Sequence, residues 1–171
     1  MATIQKIVPN LWFVSNAEEA VKYYTSIFKN SKVGRIARYG NEGQDITKKK
    51  PGEVLTIEFE IEGTPFVALN GSQENFTFNE SISFIVNCKD QKEIDYYWDK
   101  LTPGGDPKAQ VCGWLKDKFG VSWQINSTEL SDMVVDKDVE KVDRVMQAMF
   151  KMKKLDIAVL KKAYNGEAVP A

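Results

Sequence analysis

The chain states one short pattern twice, and that repeat limits the folds open to it. Residues 11–28 read LWFVSNAEEAVKYYTSIF, and residues 83–101 read SFIVNCKDQKEIDYYWDKL. Each begins with an apolar run, passes a polar capping residue and continues as an amphipathic helix carrying a Tyr-Tyr pair, Tyr23-Tyr24 or Tyr96-Tyr97. A repeat of about half the chain length marks two copies of one supersecondary unit, and neither copy can bury its apolar face alone. The 171 residues suit one compact domain made of two such halves.

The spacing of apolar residues gives each half its order. A strand is predicted near Pro9 to Val14. A helix follows, capped by Asn16 with Glu19 three residues on, and runs to about Phe28. Residues 32–39 read as a strand and Gly40 to Gly52 as a polar, solvated loop containing Lys48-Lys49-Lys50. Val54 to Ile61 alternates, with Leu55, Ile57, Phe59 and Ile61 on one face and Thr56, Glu58 and Glu60 on the other. Glu62-Gly63 is a hairpin turn into a strand from Pro65 to Asn70. The first βαβββ module therefore spans 1–71. A shortened βαββ(β) module spans 80–127, with Asp90 and Glu93 capping its helix and Pro103-Gly104-Gly105 ending it. Its later strands are predicted near Gln110 to Leu115 and Val121 to Asn126. Residues 128–171 form a helical extension, read as a cap on the parent domain or as a dimer interface.

Several functions are excluded early. The chain has no histidine, which removes the commonest general base and the commonest metal ligand together. With 23 basic and 24 acidic residues the net charge is -1, so charge gives no case for nucleic acid or an anionic membrane. No apolar stretch approaches the roughly 20 residues that span a bilayer, and the start lacks a secretion-signal pattern. Cys88 and Cys112 form no CxxC motif and read as buried thiols. A cytoplasmic location is expected.

The tandem modules and several strings resemble the vicinal-oxygen-chelate superfamily of glyoxalase I, bleomycin-resistance proteins and extradiol dioxygenases. Within it the chain resembles the PhnB-like branch, labelled 3-demethylubiquinone 3-methyltransferase. The matching strings are NLWFVSNAEEAVKYYTSIF at 10–28, ALNG at 68–71, FNESISFIVNC at 78–88 and CGWLKDKFGVSWQI at 112–125. The tail string KVDRVMQAMFKMKKLDIAVLKKAY at 141–164 also fits. The resemblance implies an α+β fold in which two βαβββ modules curl into a cup-shaped mixed sheet around a ligand, and a homodimer. It implies metal ligands on the first and last strand of each module, at positions that fall here on Pro9, Val67, Ser81 and Gln124. Only Gln124 is a plausible donor, so no intact metal site is expected. The methyltransferase label has no cofactor motif behind it: Gly104-Gly105 follows a helix, not a first strand.

The residues nominated for a pocket are Phe13, Arg38, Glu58, Asn70, Ser83, Trp114 and Gln124. Alternation aims Phe13 and Gln124 inward and Trp123 toward the core. Glu58 points into the cup if the Leu55/Ile57/Phe59/Ile61 face meets the helices, and burial there raises its pKa and suits it to proton transfer. Arg38 is a candidate partner for it. Cys88, at a strand–helix junction, is read as an apolar filler. These residues suit a protein that binds a small hydrophobic or aromatic molecule without a cofactor. The alternative is a lyase-, isomerase- or dioxygenase-like enzyme of the same superfamily that acts on a small hydrophobic or aromatic substrate with Glu58, or with an ion bound in a geometry other than the superfamily's.

Overall fold

The computed structural model describes residues 5–72 and 76–169. The chain divides into two compact units, residues 1–76 and 77–171. The first unit runs β1 (Asn10–Phe13), α1 (Ala17–Ile27), β2 (Lys32–Arg38), α2 (Gln44–Thr47), β3 (Val54–Ile61) and β4 (Thr64–Asn70). Its strands form one sheet in the order β1-β4-β3-β2. β1 runs parallel to β4, and the other pairs are antiparallel.

The alternation of β3 decides which face is covered. Ile57, Phe59 and Ile61 are buried together with Leu11 and Phe13 of β1 and Phe66 and Ala68 of β4. α1 lies on this face and buries Ala17, Ala20, Val21, Tyr24 and Ile27. The Tyr24 ring stacks on Phe59 at 6.5 Å, and Phe59 stacks on Phe66 at 5.3 Å. Glu62 and Gly63 turn the β3–β4 hairpin with φ of 46° and 76°, the paired positive values of a type I′ turn. Among the described residues of this unit, no second helix packs on the opposite face of the sheet.

Two local expectations fail here. Asn16 makes no side-chain cap bond to α1. The first free amide, Ala17 N–H, donates instead to Asn70 Oδ1 at 2.9 Å, from the end of the neighbouring strand β4, where Asn70 pairs with Phe13. Asn70 Nδ2 donates to Val54 O at 3.1 Å, and Tyr39 Oη donates to Asn70 O at 2.6 Å. The polar loop after β2 is not wholly solvated either. It holds the single turn α2, and Lys49 is buried with Nζ donating to Val14 O.

The second unit runs β5 (Phe84–Cys88), α3 (Gln91–Leu101), a 3-10 turn (Pro107–Ala109), β6 (Trp114–Lys116), β7 (Ser122–Ser127), α4 (Thr128–Met133), α5 (Val139–Met149) and α6 (Ile157–Asn165). Its sheet order is β5-β7-β6. The capping box at α3 forms as the sequence indicates. Glu93 N–H donates to Asp90 Oδ1 at 2.9 Å, and Lys89 N–H donates to Glu93 Oε2 at 3.1 Å. The strand expected from Gln110 shrinks, because Cys112 and Gly113 adopt φ of 52° and 84° and turn the chain. Val111 and Trp114 close this turn through both of their backbone bonds.

That turn receives the C-terminal extension. Cys112 N–H donates to Met152 O at 2.8 Å and Gly113 N–H to Lys153 O at 2.7 Å. Gln91 of α3 clamps the next residues, donating to Leu155 O at 3.0 Å and accepting from Ile157 N–H at 2.9 Å. Leu155 and Leu160 are buried. The extension thus packs against the second unit. Among the described residues no helix is long and apolar enough to cross a membrane.

Candidate functional site

The uncovered face of the first sheet carries a cavity of about 390 Å³, within the range of small-molecule pockets. Register assigns its side chains to rows. Glu58 lies across from Val67, and Glu60 lies between Lys32 on β2 and Pro65 on β4. Arg35 reaches this face because β2 bulges. Between the pairs Val33–Phe59 and Ile36–Ile57, two residues of β2, Gly34 and Arg35, oppose one of β3. A bulge of this kind re-aims a side chain and interrupts the ladder. Gly34 suits the close approach, since a Cβ there would crowd the backbone at 3.0 Å from Glu58 O and 3.2 Å from Glu58 Cβ.

Arg35 and Glu58 meet end to end. Nε donates to Oε2 at 2.8 Å and Nη2 to Oε1 at 2.6 Å. Lys32 Nζ lies 3.1 Å from Glu60 Oε2. The Arg35 hydrogen bond, aided by its charge, holds the Glu58 carboxyl below the usual carboxylate range. Glu58 does face away from the helices, but the raised pKa expected for it is overturned, because its partner outweighs its slight desolvation.

The nominated residues separate. Arg38 does not reach Glu58; its Nη1 donates to Gly52 O at 2.9 Å and closes the loop after β2. Phe13 is buried on the helix side, not the open side, because the parallel pairing Asn10–Val67 puts Asn10 and Trp12 on the open face. Asn70 is buried as the structural clasp described above. In the second unit, Ser83, Trp114 and Gln124 do share an uncovered face. Gln124 Nε2 donates to Ser83 Oγ at 2.8 Å, and Trp114 is the antiparallel partner of Gln124. Ser122, next on that face, has a buried Oγ without a hydrogen-bond partner. Trp123 is buried in the core as expected. Cys88 is buried, and that burial, with Glu93 and Asp90 nearby, pushes its thiol up to about 12, so it supplies no thiolate nucleophile.

Lys32 and Arg35 were missed, because positions 32 and 35 share a face only through the bulge, whereas alternation put Glu60 on the face of Glu58 without its being nominated for the site. The glycine inside a strand pattern was the available signal.

Trp12 borders the same face. Its indole lies against Gly71, where a Cβ would come within 2.1 Å of the ring, and its edge meets Phe76 at 5.4 Å. Gly71→Ala is expected to expel the indole and to cost about 1–3 kcal/mol as overpacking. The Trp12 indole resonance would lose its ring-current shift from Phe76. An unmoved resonance would contradict this packing.

A family model described as 3-demethylubiquinone-9 3-methyltransferase matches residues 5–126. The chain belongs to that family. A Bacillus cereus protein described as a 3-demethylubiquinone-9 3-methyltransferase, PhnB protein, is 36% identical; the alignment covers 72% of this chain and 100% of that one, with a TM-score of 0.62. Protein PA1353 from Pseudomonas aeruginosa shares the fold at 19% identity, covering 72% of this chain and 98% of its own, with a TM-score of 0.55. Among curated proteins nothing matches. Family and architecture together make this a PhnB-like member of the vicinal-oxygen-chelate superfamily, with the glyoxalase/bleomycin-resistance fold. The family match ends at residue 126, so α4, α5 and α6 lie beyond it, although the tail string was expected to fit.

The metal that the superfamily implies does not suit these residues. Val67 and Gln124 lie on open faces, but Val67 faces Asn10 rather than Pro9, and Gln124 faces Ile85 and bonds Ser83 rather than Ser81. That leaves amides and a hydroxyl, weak donors for a transition metal. Among the described residues no group of three or more His, Cys, Asp or Glu is placed to hold an ion. The methyl donor implied by the family's label fares no better. No glycine-rich turn follows β1, and the first amide of α1 is already bound by Asn70.

Proposed function

We propose that the protein binds a small organic molecule on the uncovered face of its first sheet, and that it does so without a metal. The observation that carries this reading is the cavity of about 390 Å³ whose lining includes Glu58 and Arg35. Its floor is apolar, from Val8, Pro65 and Val67, and its charged groups have unused hydrogen-bonding capacity: a guanidinium offers five N–H donors, and Glu58 engages two nitrogens. A shaped apolar floor with a few convergent polar groups is what small-molecule recognition requires. The enzymatic alternative draws less support, since a carboxylate held ionised by Arg35 is a weak proton acceptor.

The test is a thermal-shift screen of purified protein against a broad panel of small organic compounds, repeated on Val67→Trp. A ligand that binds only the folded state raises the melting midpoint by mass action. Val67 is half-exposed at the cavity floor, so the tryptophan fills the cavity without entering the core. Compounds that shift the wild type and not the variant support the site. If every hit shifts both proteins equally, the site is elsewhere.

A further inference from the structure

The charges on this face are sorted by strand. Crossing the sheet from its edge, β2 presents two cations, Lys32 and Arg35, and β3 presents two anions, Glu58 and Glu60. β4 then presents Pro65 and Val67, with Val8 ahead of β1 beyond them. The order is positive, negative, apolar, and the four charges cancel.

A lone anion drawn to Lys32 and Arg35 meets the carboxylates one strand away, and a lone cation drawn to Glu58 and Glu60 meets the reverse. A ligand carrying both charges in the same order meets neither repulsion. Adjacent strands lie about 4.8 Å apart, so the two ligand charges must be separated by about that distance or less, with the apolar body beyond the cationic one. We propose that the pocket takes an amino-acid-like zwitterion with an apolar side chain, its carboxylate over β2, its ammonium over β3 and its side chain over Val67 and Pro65. This rests on the binding-site reading above and names the class of ligand.

The existing ion pairs do not oppose such a ligand. Arg35 is 87% exposed and Glu58 44%, and pairs so open to solvent are held weakly. Each guanidinium and carboxylate can keep its partner and still engage a second one. The electrostatic pattern therefore acts mainly as a filter on ligand charge.

Calorimetric titration tests this with four probes: L-phenylalanine, N-acetyl-L-phenylalanine, L-phenylalaninamide and glycine. The blocked forms each lose one charge, and glycine loses the apolar body. L-Phenylalanine is expected to bind at least tenfold more tightly than each of the other three. Glu58→Gln should narrow or reverse the gap to the N-acetyl form, because the blocked nitrogen no longer faces an unmet anion. Arg35→Met should erase the advantage over the amide. Equal binding of zwitterion and blocked forms overturns the inference, and so does no measurable binding of all four at millimolar concentration. If panel compounds still lose their shift in Val67→Trp, the site stands and only the ligand class falls. If none does, the site itself has failed.

Discussion

Asp117→Ala should be the most damaging single substitution in the second unit, costing about 4 kcal/mol. Asp117 is 2% exposed and sits at the tip of the β6–β7 hairpin. Its Oδ1 accepts from Phe119 N–H at 2.8 Å and from Val121 N–H at 3.0 Å, and its Oδ2 accepts from Trp123 Nε1–H at 2.9 Å. Alanine would leave all three donors without this acceptor, and each buried orphan costs about 1–3 kcal/mol. Asp117→Asn is a sharper probe. Its amide oxygen can serve the two backbone donors, but its nitrogen then faces the indole N–H. Urea unfolding of both variants, followed by far-ultraviolet circular dichroism, gives the comparison. A loss below about 1 kcal/mol for alanine would mean that the turn is held by Gly120 and the β-ladder alone.

Asn70→Ala should cost about 3 kcal/mol, whereas Asn16→Ala should cost less than about 0.5 kcal/mol. Asn70 accepts from the N–H of Ala17 and donates to the C=O of Val54, and both bonds are buried. Asn70→Asp keeps an acceptor for Ala17, and a negative charge suits a helix start. It also turns a carboxylate toward Val54 O, so it should recover only part of the loss. Hydrogen exchange at the α1 amides reads the same contrast locally. If Asn16→Ala proved the costlier change, the helix would be capped by its own neighbour in solution.

These two residues show where sequence reading succeeded and where it stopped. Strand β3 was legible because burial on one face imposes period two, and Ile57 to Ile61 obeys it; at the strand's start the pattern slips, since Val54 is buried and Leu55, expected on the covered face, is only partly so. The capping box at α3 was legible because both partners lie within one turn. Asn16 offers the same local signal, but the bond to Ala17 N–H is made by Asn70, 53 residues on from Ala17, and no spacing rule connects them. Arg38 was nominated as a partner for Glu58, and the bulge at Gly34 gave that place to Arg35. Cys112-Gly113 was absorbed into a strand, although its two positive φ values make it a turn. The module repeat, the family and the fold were thus readable, while the site depended on one irregularity in an edge strand.

That irregularity has a consequence for how the protein persists in a crowded cell. β2 is the outer strand of its sheet, and an unpaired, regular outer strand is a template for other chains. The extra residue at Gly34–Arg35 breaks the regular comb of amides and carbonyls, and Lys32 and Arg35 put charge along it. The cations that would greet a ligand are therefore also the groups that keep copies of the chain from aggregating edge to edge. A descendant that abandoned its ligand would still be under pressure to retain them. In comparing relatives, a preserved basic stripe on β2 says little about binding, and the acidic pair at Glu58 and Glu60 is the more informative trait to follow.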